Sequence, residues 1–255
     1  MADTSSRLHA TLSALDAIHS TDPSHPNSLE YHHSLSAYSR QLVAPNEPSE
    51  ALVLAANAQH VARWKRPRGD YPEGLSGYKM WRTALNKYHA DILHQVMRSS
   101  GYSEEQDAEL FTRTRDLLLK RTLQRPPLPV DVSLLKDPEA HLFEDAICLT
   151  FLARDFASFA AEYQPAPSSP TATATSTDSS DPSAKPPRAG GLSKLRTIVS
   201  RTWAKMTTQG REVAVRDLVG TLEEELRAVV IEAVGACEEG EREARALQAR
   251  GEEGA

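Results

Sequence analysis

GYKMWRTALNKYHADILHQV, residues 77–96, carries the clearest periodicity in the chain. Tyr78, Trp81, Leu85, His89, Ile92 and Val96 recur at steps of three and four, which lines up one face of an α-helix. A strand would place alternate residues on one face, and this stretch does not alternate. Upstream, Leu8, Leu12, Leu15 and Ile18 repeat the same spacing, and so do Tyr31, Leu35, Tyr38 and Leu42, with Asp22-Pro23 and then Pro45 and Pro48 as breakers. Ser49 supplies an N-cap for ALVLAANAQHVARW, residues 51–64, which is apolar nearly all round and predicts a helix buried inside a bundle.

Residues 64–77 hold Pro67, Gly69, Pro72, Gly74 and Gly77 and predict a loop. Ser103 and Gln106 form a capping box ahead of Leu110, Phe111, Thr114, Leu117 and Leu118. Asp137-Pro138 supplies an N-cap followed by proline at the first helical position, and Leu142, Asp145, Leu149, Leu152 and Phe156 continue inward. Between residues 164 and 191 the chain turns to Pro, Ser, Thr and Ala, where ordering would cost entropy with little burial in return. Leu192, Leu195, Val199, Trp203 and Met206 restore a stripe, and residues 213–234 predict one more helix. The expectation is an all-α bundle: a main domain over 1–163, a linker over 164–191, helices over 192–236 that dock back, and a charged tail over 237–255.

The 255 residues are 40% hydrophobic and 25% charged, a composition able to fold around a core. A net charge of -6 argues against a broad grip on nucleic acid, because such binding runs on clustered Lys and Arg. Cys148 and Cys237 are the only cysteines and form neither a disulfide framework nor a Cys-rich metal site. No stretch approaches the roughly 20 apolar residues of a membrane span, so no membrane partner and a cytoplasmic location are expected.

Three polar residues fall inside stripes that should be dry: His60, His89 and Asp145. A carboxylate taken from water needs a partner, so Asp145 is expected to be paired, hydrogen-bonded or bound to metal. Two imidazoles and a carboxylate from separate helices can hold Mn, Zn or Fe. The other reading is that each is satisfied locally as an unrelated core residue. Glu144 stands beside Asp145 as a secondary acid or base. Arg63, Lys65, Arg66, Arg68 and Arg82 lie close in sequence to Trp64, Tyr71, Tyr78 and Trp81, a combination suited to phosphate or a planar anion. A solvated basic loop is the alternative.

ALVLAANAQH followed by YHADILHQVM resembles the two central helices of the HD phosphohydrolase superfamily, whose members hold metal with helix-borne His and Asp. The resemblance implies metal ligation by His60, His89 and Asp145, with His32 or His33 as an early histidine. The superfamily's doublet Asp is replaced here by Val61, which points to a single-metal or metal-free descendant. AQHVARWKRPRGDYPEGLSGYKMWRTALNKYHA, FEDAICLTFL and RTWAKMTTQG are similar to domain-of-unknown-function family 4202. Members of that family are often labelled glutamyl-tRNA synthetase, yet this chain has no Gly-rich nucleotide fold and no HIGH-like or KMSKS-like signature.

The leading expectation is therefore a metal-dependent hydrolase of a small phosphorylated metabolite. In it, His60, His89 and Asp145 hold the metal, Glu144 and Asp145 do the acid-base work, and Arg63, Arg68, Arg82 and Tyr78 hold the anionic ligand. A non-catalytic ligand- or protein-binding helical module is the alternative, and a tRNA-associated role is a weaker one.

Overall fold

The computed structural model describes residues 4–23, 28–126, 128, 130–163 and 191–252, and among these every regular element is helical. Of the expected linker, residues 164–190 lie outside the described residues, and Gly191 already opens a helix. The chain divides into two compact units: Met1–Thr150 with Met206–Glu212, and Phe151–Lys205 with Val213–Ala255.

In the first unit, α1 (Thr4–His19), α2 (Ser28–Val43), α4 (Gly74–Ser99) and α5 (Ala108–Leu119) pack around α3 (Glu50–Ala58), and α6 (Pro138–Thr150) lies along α2. The central place of α3 follows from its composition. Leu52, Leu54, Ala55, Ala56 and Ala58 are fully buried, and small alanines let four neighbours approach one helix closely. Ser49 opens it as expected, its hydroxyl accepting from the Leu52 N–H at 3.1 Å.

Its end differs from expectation. The helix stops at Ala58 rather than running on to Trp64, because His60 (φ 66°) and Ala62 (φ 50°) are both left-handed and unwind the backbone. Two short 3-10 turns, Arg63–Lys65 and Arg68–Asp70, then lead to α4.

Gly77 permits the start of α4, since a Cβ there would lie 1.7 Å from the Pro72 carbonyl oxygen. Trp81, Leu85, His89, Leu93 and Met97 face inward along the helix. Tyr78, expected on the same inner face, stands at the stripe's edge and is 47% exposed. The capping box at Ser103 does not open α5. Asp107 holds the N-cap position without a side-chain bond into the helix; its carboxylate instead accepts from the Ser103 N–H at 2.9 Å and pairs with Arg7 at 3.0 Å, and the first helical residue is Ala108. Asp137 caps α6 as its sequence suggests, accepting from the Ala140 N–H at 3.1 Å.

In the second unit a π-helical turn, Phe151–Asp155, leads into α7 (Phe156–Ala161); α8 (Gly191–Ala204) packs on α10 (Glu224–Glu252). Phe156, Ala160, Leu195, Val199, Leu226, Val229, Val230 and Ala233 form one core, and the second unit begins at Phe151. The helix expected over 213–234 is interrupted: α9 (Thr208–Asp217) ends, a 3-10 turn covers Val219–Thr221, and α10 begins at Glu224. The charged tail, of a composition that can form a solvated helix, continues α10 as far as Glu252. Among the described residues no helix is long and apolar enough to cross a membrane.

Candidate functional site

The last carbonyls of an α-helix have no partner within it and must find one elsewhere. At the end of α3 two histidines supply it. His19, at the end of α1, donates from Nε2 to the Asn57 carbonyl at 2.7 Å, and His32, on α2, has Nε2 against the Gln59 carbonyl. The Nδ1 of His32 lies 2.6 Å from the Ser28 carbonyl. Burial first, and then the His19 ring stacked on it at 3.4 Å, pull the pKa of His32 down to about 3. The neutral ring therefore donates to one of the two carbonyls at a time.

These contacts fix the turn that projects His60. Its partly buried ring stacks on Tyr31, with centroids 5.2 Å apart, and meets His89 edge-on at 5.8 Å. His89 comes from the middle of α4 and is 1% exposed, and neither of its ring nitrogens has a hydrogen-bond partner among the described residues. Arg63 approaches from the turn after α3, its Nη1 3.4 Å from His60 Nε2.

Burial above all, followed by Arg63, His89 and Arg82, holds the His60 pKa well below the usual imidazole value. His89 is pulled down to about 3, again by burial first and then by Arg63 and Arg82. Both rings are thus neutral near pH 7, and the charges acting most strongly on them are two guanidiniums.

The basic loop is held by its aromatic residues. The Trp81 indole N–H donates to the Arg66 carbonyl at 2.8 Å, Arg63 lies over the Trp81 ring at 5.0 Å, and Arg66 lies over Tyr88 at 5.0 Å. Arg68 donates to the Tyr71 carbonyl at 2.9 Å and the Gly74 carbonyl at 3.4 Å and so braces the loop. Of the two early histidines, His32 is buried, whereas His33 has a 59% exposed side chain lying 3.9 Å from Asp16.

Asp145 does not join the two imidazoles. It is fully buried on α6, where it accepts from the Thr207 N–H at 2.9 Å and the Thr207 hydroxyl at 2.6 Å. The same hydroxyl accepts from the Gly210 N–H at 3.2 Å. A Cβ on Gly210 would lie 2.4 Å from the Asp145 carboxyl carbon, so the segment fits only without a side chain there. Burial pushes the Asp145 pKa up to about 7 against the two Thr207 bonds. Glu144 is ion-paired with Lys120, which occupies a left-handed position at the end of α5. Asp145, expected at the metal, and Glu144, the secondary acid or base beside it, thus each have a partner of their own.

Among the described residues no group of three or more His, Cys, Asp or Glu is arranged to hold a metal ion. The donor set also fits a metal poorly on chemical grounds. His60 and His89 bring two lone pairs, but the Arg63 guanidinium already stands at the nitrogen of one, and no carboxylate is among the groups that act most strongly on either ring. Sequence reading missed His19, Tyr31, Thr207 and Gly210. His19 gave no signal because it lies at a helix end, where polar residues are ordinary.

What the fold and site define is an all-α protein in which a buried imidazole, His89, meets a partly buried one, His60, under the charge of Arg63 and Arg82. A family model described as a domain of unknown function, DUF4202, matches residues 9–230, and the chain belongs to that family. No curated protein and no solved structure is detectably similar to it.

Proposed function

We propose that the chain is a binding module for a small phosphorylated or otherwise anionic metabolite, held by His60, His89, Arg63 and Arg82. One observation carries the reading: His89 is buried, neither of its ring nitrogens has a hydrogen-bond partner among the described residues, and Arg63 and Arg82 are the charges that most lower its pKa. A buried polar group left without a partner costs about 1–3 kcal/mol, which a hydrogen-bonding ligand recovers. An oxyanion suits the place because neutral imidazole supplies an N–H while the arginines supply charge and a planar fork of donors.

Metal-assisted hydrolysis, implied by the HD resemblance, would need a carboxylate beside the imidazoles. Asp145 is bound to Thr207 and Glu144 to Lys120, so the residues present favour binding over that chemistry.

Calorimetric titration of the full chain with inorganic phosphate tests this reading. Saturable binding in metal-free buffer, weakened at least tenfold by Arg82→Gln, is the expected result. Absence of binding and of thermal stabilisation at millimolar phosphate would overturn it. Binding that appears only after Mn²⁺ or Zn²⁺ is added would replace it with the metal-dependent reading.

A further inference from the structure

We propose that the anion held at this site is a phosphomonoester carrying an aromatic group, and that Tyr78 and Leu75 on the first turns of α4 receive that group. The inference rests on the anion-binding reading above and adds the identity of the rest of the ligand.

Leu75, Tyr78, Lys79 and Arg82 stand at i, i+3, i+4 and i+7 of α4 and so share one face of the helix. The face changes character along its length. Its first turn presents Leu75, 69% exposed, and Tyr78, 47% exposed, while Arg82 lies where its charge lowers the pKa of both His60 and His89.

A continuous chain of contacts joins Tyr78 to the imidazole pair. The Tyr78 ring lies 5.9 Å from Trp81, Trp81 lies under Arg63 at 5.0 Å, and Arg63 reaches His60 at 3.4 Å. Arg63 thus borders both the imidazole pair and the aromatic wall.

Spacing matches a short ligand. Four residues of helix separate Tyr78 from Arg82, a rise of about 6 Å, which is about the length of a phenyl ring joined through oxygen to phosphorus. The Tyr78 and Trp81 rings are tilted at 54° to each other, so a third ring can meet a face of one and an edge of the other. Exposed single apolar residues are common on proteins. Here two of them share a helix face with the arginine of an anion site, and a ligand bearing both chemistries uses the whole face.

The test compares methyl phosphate with phenyl phosphate, titrated into the full chain by calorimetry. Both carry the same monoester head, so the ratio of their affinities reports the ring alone. Phenyl phosphate is expected to bind roughly tenfold more tightly, a contribution in the range of one aromatic contact plus its buried area. Tyr78→Ala should bring that ratio to about one, and Leu75→Ser should reduce it. Equal affinities in the wild-type protein, or a ratio that survives Tyr78→Ala, would overturn the inference and leave the anion site standing. Failure of both esters and of inorganic phosphate to bind would overturn the anion site and this inference together.

Discussion

The imidazoles of His60 and His89 lie 5.8 Å apart, although one projects from a left-handed residue past the end of α3 and the other from the middle of α4. That meeting depends on a backbone conformation that side chains generally avoid. A left-handed residue with a Cβ costs about 1–2 kcal/mol, and histidine is among the types that tolerate it better.

His60 therefore separates backbone from side-chain effects. His60→Gly and His60→Ala both remove the ring, but only glycine is at ease at φ 66°. Urea denaturation should find the glycine variant more stable than the alanine variant by about 1 kcal/mol. Both should lose phosphate binding.

Gly210→Ala should destabilise the protein by about 1–3 kcal/mol, because the added methyl meets the carboxyl of a buried Asp145 that has no room to retreat. Gly69→Ala is the control. With no described residue within 4 Å of its Cβ, it should change stability by less than about 0.5 kcal/mol in the same thermal melts.

Asp145 gives a pH signature. Its folded pKa of about 7 lies above the model-peptide value of 3.8, so the folded protein keeps this proton more firmly than the unfolded chain does. The stabilising contribution of the proton is complete below about pH 4 and is lost as pH rises through 7. Asp145→Asn cannot lose a proton. Its stability relative to wild type should improve by up to about 4 kcal/mol between pH 4 and pH 8. Urea midpoints of the two proteins across that range would show it, and a constant difference would refute it.

Asp137 runs the other way. Burial works to raise its pKa, but Arg113, the Thr122 hydroxyl and the Ala140 N–H together hold it at about 2. Its stabilisation is present above the unfolded value of 3.8 and fades as pH falls through 2. Asp137→Ala removes the cap of α6 and breaks the Arg113 pair at once, and should cost about 1–3 kcal/mol at pH 7 and less at pH 2.5.

Much of the helical scaffold is legible in the residues themselves. The spacing of Trp81, Leu85 and His89 gives α4, and the chemistry of Ser49 and Asp137 gives the starts of α3 and α6. The end of α3 is not legible, because apolar composition continues past Ala58 and nothing in Gln59-His60-Val61 announces a left-handed turn. Periodicity also brings His60 and His89 forward as polar residues in dry stripes, and they do meet. Asp145 carries the same signal for a different reason: its partner, Thr207, lies 62 residues downstream, a pairing that no local pattern encodes. Tyr78 shows the limit of counting threes and fours, since a residue at the margin of a stripe can face either way.

The segment Met206–Glu212, which returns to the first unit, also has a consequence for biosynthesis. A ribosome will have released α1 to α6 well before it makes the residue that accommodates Asp145, because domains assemble as the chain emerges, amino end first. Until then a carboxylate destined for a dry interior stays wetted, and the nascent bundle keeps a gap beside α6. Maturation of this half of the molecule is therefore timed by the arrival of Thr207, and a product cut short before that point would remain an unfinished fold.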